Sequence, residues 1–304
     1  MERIRISGEI ECVHSSPSDG WLVCSGIIIN SHPQVIIDIC LGDKSTRELL
    51  NEIDPRIAII THFHMDHSAM LSTISESTRA NIFIPQGEDK YLTGVRNYVE
   101  QGIPNDVQLQ KVCEQILIES GYREIKNYNL YSKLADFDLP DTNRMQVIRT
   151  PGHTPGHTSF YFPEEKLLFP GDIGLDIFGP WYAFQHCNLL EYIDSLLRLM
   201  TLDIEIIVTS HGGVISKHAD SALRDCLKTI YDRENNIRED LEKGYSRDEI
   251  VRKGVLYGDK DSLEEPTRSI RYNGDEMAFD HHRRLLEDGG ILKHFPQIYS
   301  VLHN

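Results

Sequence analysis

Three histidines and an aspartate fall within six positions at the end of an apolar run, Ile57-Ala58-Ile59-Ile60-Thr61-His62-Phe63-His64-Met65-Asp66-His67. Residues two apart on an extended chain point to the same side, so the spacing predicts that His62 and His64 reach one point in space. Asp66 and His67 fall in the following turn, beside a helix start predicted at His67. Imidazole and carboxylate together suit zinc or a similar divalent transition metal. The arrangement recurs along the chain. Apolar stretches of strand type run into His153, within Thr150-Pro151-Gly152-His153-Thr154-Pro155-Gly156-His157, then into Asp172 after Pro170-Gly171, then into His211 before Gly212-Gly213. Any one of these would pass as a turn residue. Four apolar strands that each end in a metal-ligand side chain predict one convergent site, because sheet enzymes place their chemistry where loops meet at strand ends.

The elements that must position these residues follow from hydrophobic period and turn signals. Arg3–Val13, Trp21–Ile29 and Val35–Ile39 read as strands divided by turns rich in Ser, Pro, Asp and Gly. A short helix is expected from Ser45 as its N-cap. Ile57–Thr61 is the strand that carries the first cluster, followed by a helix at Met70–Ser75 and a strand at Ile82–Ile84. Residues 86–140 are long, polar and of helical pattern, broken at Gly102-Ile103-Pro104, and are expected to be an inserted lid or wall of the site. Strands resume at Met145–Ile148, with a hairpin of Phe160–Phe162 and Lys166–Phe169, a helix at Leu189–Met200 and a strand at Ile204–Val208. A charged helix runs from Ser216 to about Gly244, and the remainder is helical apart from a loop around Tyr257–Tyr272. A catalytic domain over 1–215 and a helical extension over 216–304 are therefore expected. His281-His282-Arg283-Arg284 reads as an exposed helix face.

Composition narrows the classes. The 304 residues are 40% hydrophobic and 26% charged, as in an ordinary globular protein. A net charge of −16 repels polyanions and makes nucleic acid an unfavourable substrate. The first residues lack the apolar core of a signal peptide, and no later run is long enough to span a membrane. Cysteines at 12, 24, 40, 113, 187 and 226 form no CxxC pair and read as buried thiols of a reducing compartment. A cytoplasmic location and a small-molecule substrate are expected, with homo-oligomerisation left open.

Taken in order, Thr61-His62-x-His64-x-Asp66-His67, then Pro151-Gly152-His153-Thr154-Pro155-Gly156-His157, then Gly171-Asp172, then His211-Gly212 resemble the motifs of the metallo-β-lactamase-fold hydrolase superfamily. The resemblance spans about residues 20–215. It implies an α/β fold, a four-layer αβ/βα sandwich of two mixed β-sheets with helices outside and metals at one edge. Carried over position by position, it implies two divalent ions, zinc in the first instance with iron or manganese as alternatives. His62, His64 and His153 would hold the first, Asp66, His67 and His211 the second, and Asp172 would bridge them. His157 matches the second histidine of the His-Thr-x-Gly-His element, which acts by hydrogen bonding rather than ligation. The motif wording is closest to the glyoxalase II-like and lactonase-like branches. The long spacing from His67 to His153 and the helical tail are similar to the quinolone-signal thioesterase branch.

Two ions sharing a water lower its pKa toward neutrality. That chemistry predicts a hydrolase in which a metal-bridging hydroxide attacks a thioester, ester or lactone carbonyl. Asp66 would double as ligand and as the group that orients the hydroxide or carries a proton to the leaving group. Substrate contacts are expected from the stretch Phe178–His186 that follows Asp172. There, Trp181 would line an apolar wall, Tyr182 would donate to an oxyanion, and His186 would be a polar contact. Two alternatives share the ligand set. An iron-dependent oxidoreductase of the persulfide dioxygenase type is opposed by the absence of a cysteine at or just beyond His157. A phosphodiesterase or nuclease is opposed by the acidic charge balance.

Overall fold

Side-chain alternation along the strands decides the layering. The computed structural model describes residues 1–14, 23–102, 106–119, 121–137, 145–175 and 179–303. A first sheet is built in chain order from β1 (Glu2–Arg5), β2 (Ile10–His14), β3 (Gly26–Ile29), β4 (Val35–Ile37), β5 (Ile57–Ile59), β6 (Asn81–Pro85) and β7 (Asn129–Tyr131). Strands β1 to β4 form an antiparallel meander, and β4 to β7 run parallel. The parallel crossovers carry α1 (Asp43–Leu50), α2 (Met65–Ser68), α3 (Leu71–Ser77), α4 (Val95–Gly102) and α5 (Val107–Glu119). The second sheet comprises β8 (Gln146–Arg149), β9 (Thr158–Phe162), β10 (Leu167–Phe169), β11 (Ile206–Thr209) and β12 (Gly213–Ile215), ordered β12-β11-β10-β9-β8. Among the described strands there, β10 and β11 alone run parallel, joined through α6 (Leu189–Leu199).

On β5, Ile57 and Ile59 enter the core between the sheets, together with Phe160, Phe162, Leu167 and Phe169 from the second sheet. Ala58 and the following Ile60 belong to the opposite layer, with Leu49, Leu71 and Ile74 of the helices. Each large apolar side chain among them contributes roughly 1.5–3 kcal/mol by leaving water, so both faces of the strand are held. The outer face of the second sheet buries Tyr161, Leu168 and Ile207 with residues of α6 and of α7 (Ala219–Glu242). The remaining helices are α8 (Arg247–Lys253), α9 (Thr267–Glu287), α10 (Ile291–His294) and α11 (Ile298–His303). Ser246 and Glu249 close α8 with a reciprocal capping box. Leu256, Ala278, Leu285, Ile291 and Ile298 share one core with Leu168, Tyr192 and Leu196. The extension expected from residue 216 is thus the outer layer of the second sheet, with continuous packing across the expected boundary. No described helix is long and apolar enough to cross a membrane.

Several local expectations change. Arg3–Val13 is not one strand but two, because Ile6 and Ser7 donate back to the carbonyl of Ile10 and close a hairpin. Helix α1 begins at Asp43, behind Gly42 at φ 78°, and Ser45 is buried inside it rather than capping it. The segment 86–140 is not wholly helical: β7 pairs in parallel with β6 and returns Tyr131 to the core between the sheets. Strand β12 carries no alternation long enough to be read from sequence. Trp21, the Ile103-Pro104 break, residues 138–140 and Phe178 lie outside the described residues.

Candidate metal centre

The carboxyl ends of β5, β8, β10 and β11 open on one edge, and every predicted ligand sits there. After Ile59 the chain bends rather than continuing as strand, so His62 and His64 project from a loop. Helix α2 begins at Met65, which places Asp66 and His67 in its first turn, with His67 N–H donating to the carbonyl of His64 at 3.0 Å. Thr158 N–H of β9 donates to Thr61 O at 3.0 Å and ties the second sheet to this loop.

The first group is His62, His64 and His153, with Asp172 beside it. His153 Nε2 lies 3.2 Å from His62 Nε2 and 2.9 Å from His64 Nδ1. A tetrahedral zinc with Zn–N of 2.0–2.1 Å would hold such nitrogens roughly 3.3 Å apart. His153 Nδ1–H donates to Trp181 O at 2.9 Å, so the nitrogen facing the group is the bare one. Burial, then the neighbouring histidines, holds His62 and His64 well below the usual imidazole range. Three neutral imidazoles therefore present lone pairs to one point.

The second group is Asp66, His67, Asp172 and His211. His67 Nε2 lies 3.1 Å from Asp172 Oδ1, and His211 Nε2 lies 3.5 Å from the same oxygen and 3.3 Å from Asp66 Oδ2. The other oxygen of Asp172 faces the first group, 3.6 Å from His153 Nε2 and 3.9 Å from His62 Nε2. One carboxylate thus offers an oxygen to each side. Burial opposes a proton on His67, yet Cys24, Asp172, Asp38 and Asp66 outweigh it and hold the ring well above its ordinary value. His211 is raised to about 11, burial being outweighed by Asp172 and Asp66. The second group therefore demands positive charge, which a dication satisfies in place of two protons. His67 Nε2 and Asp172 Oδ1, both turned toward the centre, are buried without a hydrogen-bond partner. By donor type, spacing and charge demand, the residues fit a pair of divalent ions.

His157 lies behind this set. Its Nδ1–H faces Thr150 O at 3.0 Å and Thr150 Oγ1 at 2.9 Å, while its Nε2 accepts from Asp172 N at 3.1 Å. Burial, then His153, lowers it to about 3, so it stays neutral and holds the backbone of Asp172 in place. Gly171 makes this approach feasible. At φ 63° it tolerates the turn, and a Cβ there would come within 2.6 Å of His157 Nε2.

Asp38, which belongs to none of the sequence motifs, stands behind the second group. It is wholly buried, accepting from Thr61 N–H through Oδ1 (2.7 Å) and from Thr61 O–H (2.7 Å) and His67 Nδ1–H (2.8 Å) through Oδ2. The signal was present, since Val35-Ile36-Ile37-Asp38 is another apolar strand ending in a carboxylate.

The three predicted substrate residues separate. Trp181 flanks the site, its ring 5.7 Å from that of His64 and 5.5 Å from that of His153. His186 packs 5.6 Å from His64, between Phe63 and Phe184, with both ring nitrogens buried and without a hydrogen bond. Tyr182 is not an oxyanion donor. It is fully buried on the opposite side of the backbone, its hydroxyl donating to His282 Nε2 at 2.8 Å and accepting from Arg233 at 3.3 Å. His281 and His282 are accordingly buried rather than on an exposed face, because α9 turns them toward the Tyr182 and Phe184 segment. Solvent reaches the site from the second group, where the side chains of Asp66 and His211 are 25% and 27% exposed.

Residues 21–211 match the Metallo-beta-lactamase superfamily. The metallo-beta-lactamase fold-containing protein ST1585 of Sulfurisphaera tokodaii is 26% identical over 208 residues, 65% of this chain and 74% of that one. A hydroxyacylglutathione hydrolase of Mesorhizobium japonicum is 27% identical over 148 residues, 49% of this chain and 44% of that relative, so the match spans less than half its length. In three dimensions the chain is similar to the metallo-beta-lactamase family protein TTHA1429 from Thermus thermophilus, with a TM-score of 0.67 at 18% identity, covering 94% of this chain and 95% of the other. A beta-lactamase domain protein from Burkholderia ambifaria gives 0.68 at 15% identity, with 95% and 90% covered. At such identities the likeness is one of fold, and it agrees with the two mixed sheets and flanking helices described above. With 191 consecutive residues (21 through 211) matched and the seven candidate ligands gathered at one sheet edge, the chain belongs to the metallo-beta-lactamase superfamily.

Proposed function

We propose that the chain is a dinuclear metal-dependent hydrolase acting on the carbonyl carbon of a small thioester, ester or lactone. The observation that carries this reading is Asp172, which turns one oxygen toward each of two complete ligand groups. Superfamily members are mostly metal-dependent hydrolases, and the hydroxyacylglutathione hydrolases among the relatives support a thioester bond. Two divalent ions held there, zinc by the donor set, would supply Lewis acidity and lower the pKa of a water toward neutrality.

The chain's own residues do the rest. Asp38 keeps the proton of His67 on Nδ1 and so leaves Nε2 bare toward the centre. Trp181 O does the same for His153. His157 fixes the turn that aims Asp172. Asp66, with its side chain partly open to solvent, is placed to orient the attacking water, take its proton and pass that proton to the leaving group. Trp181, Phe184 and His186 crowd His64 and shield the first group from bulk water.

The test is a panel of thioester, lactone, ester and phosphodiester substrates on protein of measured metal content. Two equivalents of metal with turnover of a carbonyl substrate is the expected result. One equivalent after full reconstitution, turnover of phosphodiesters alone, or iron with oxygen consumption in place of hydrolysis would overturn it.

A further inference from the structure

Glu88 is a wholly buried carboxylate that no part of the proposed chemistry uses. It follows β6, the strand beside β5, and its two oxygens accept from backbone amides of two different loops. Oε2 accepts from Phe63 N–H at 2.9 Å, and Oε1 accepts from Gly156 N–H. Phe63 stands between His62 and His64. Gly156 stands in the turn that carries His153. The three imidazoles of the first group thus come from two loops, each with a backbone amide fastened to one carboxylate.

The fit is close on the glycine side. A Cβ at Gly156 would lie 2.5 Å from Glu88 Cγ, 2.7 Å from Oε1 and 2.9 Å from Gln86 O, so residue 156 can carry no side chain while Glu88 is in place. Leaving a carboxylate in such surroundings is costly unless it is hydrogen-bonded, and burial pushes its carboxyl up to about 7 against the two amides. A neutral apolar residue would fill the volume at less cost. What an apolar residue cannot do is accept from both amides at once.

We propose that Glu88 is a positioning residue that clamps the His62/His64 loop to the His153 loop and so sets the first metal position, and not the second. The second group hangs on other ties. His67 is held by Asp38, and Asp172 is held by His157. The backbone bond from Thr158 to Thr61 also joins the two halves, so loss of Glu88 loosens the clamp without parting the sheets. This inference rests on the metal reading of the site.

The experiment measures zinc affinity by chelator competition, with no substrate present. Glu88→Gln keeps the shape of the side chain but sets an NH2 against one of the two amide donors. His211→Ala isolates the first position and His153→Ala the second, and Glu88→Gln is added to each. The expected result is a loss of at least about tenfold at the first position and a change within about threefold at the second. Equal losses at both positions, or none at the first, would overturn the proposal. Unfolding of Glu88→Gln and Glu88→Asp alike would also overturn it, by making Glu88 a requirement of the fold. Failure of the unsubstituted protein to bind zinc would instead sink the metal reading itself.

Discussion

Replacing Asp38 by asparagine changes one atom in contact with His67 and should cost the second metal position its ligand. In the native arrangement Oδ1 of Asp38 accepts from Thr61 N–H, and Oδ2 accepts from both Thr61 O–H and His67 Nδ1–H. An asparagine that keeps its oxygen toward Thr61 N–H must turn its NH2 toward His67. That NH2 can only donate, so the ring must give up the proton on Nδ1 and carry it on Nε2, the atom 3.1 Å from Asp172 Oδ1. A protonated Nε2 cannot ligate. Flipping the amide exchanges this conflict for another, because NH2 then faces Thr61 N–H. One hydrogen bond to a charged group is lost in either case, about 2 kcal/mol, which corresponds to a fall in Tm of about 3 °C for a chain of 304 residues. Zinc affinity at the second position should fall by about 10–100-fold, as for other partners of ligating histidines, with the first position little changed. Chelator competition reads the affinities, thermal unfolding of metal-free protein reads the stability, and nitrogen NMR of the His67 ring reads the tautomer. Two full-affinity sites with the proton still on Nδ1 would refute the reasoning.

Three further outcomes follow from the same geometry. Asp66→Asn should lower kcat by about 10²–10⁴-fold, less for thiolate than for alkoxide leaving groups, since thiolates need little proton assistance. Metal content is measured on the same sample, and retained metal with near-normal rates on both would leave Asp66 a ligand only. For Tyr182→Phe, removal of an oxyanion donor would cost about 10²–10³-fold, whereas the buried pairing with His282 predicts a change in kcat below about threefold. His282 has its folded pKa depressed to about 3 by burial and then by Arg233, below the unfolded value of about 6.5, so the unfolded chain takes the proton first. Its contribution to stability is present above pH 6.5 and is lost as pH falls toward 3, about 1.4 kcal/mol per unit. Between about pH 6.5 and 5, the wild type should therefore lose about 2 kcal/mol more than His282→Gln in urea unfolding, and parallel losses would contradict the assignment.

The candidate metal ligands could be picked out in the sequence because their signal is local. A ligand type directly after an apolar strand is visible within a few residues, and the repetition of that pattern along the chain needs no knowledge of what packs on what. The sandwich was legible for a similar reason, since Ile57 and Ile59 alternate with Ala58 and Ile60 and so require a layer on each side. Tertiary structure decided the rest. Asp38 and Glu88 act on partners 23 to 68 positions away, and a carboxylate at a turn looks the same in sequence whether it meets water or buried donors. Tyr182 and Trp181 are neighbours in an irregular stretch with no period to assign their faces. Only the packing of α9 shows that one side chain turns to the centre and the other to His282. Strand β7 was missed on the same grounds, because so short a strand carries too little alternation, and its place is set by the free edge of β6. What a residue type at a given spacing can do is written in the chain; which donors its buried atoms meet is settled by contacts between distant segments, and those exist only once the two sheets have closed on each other.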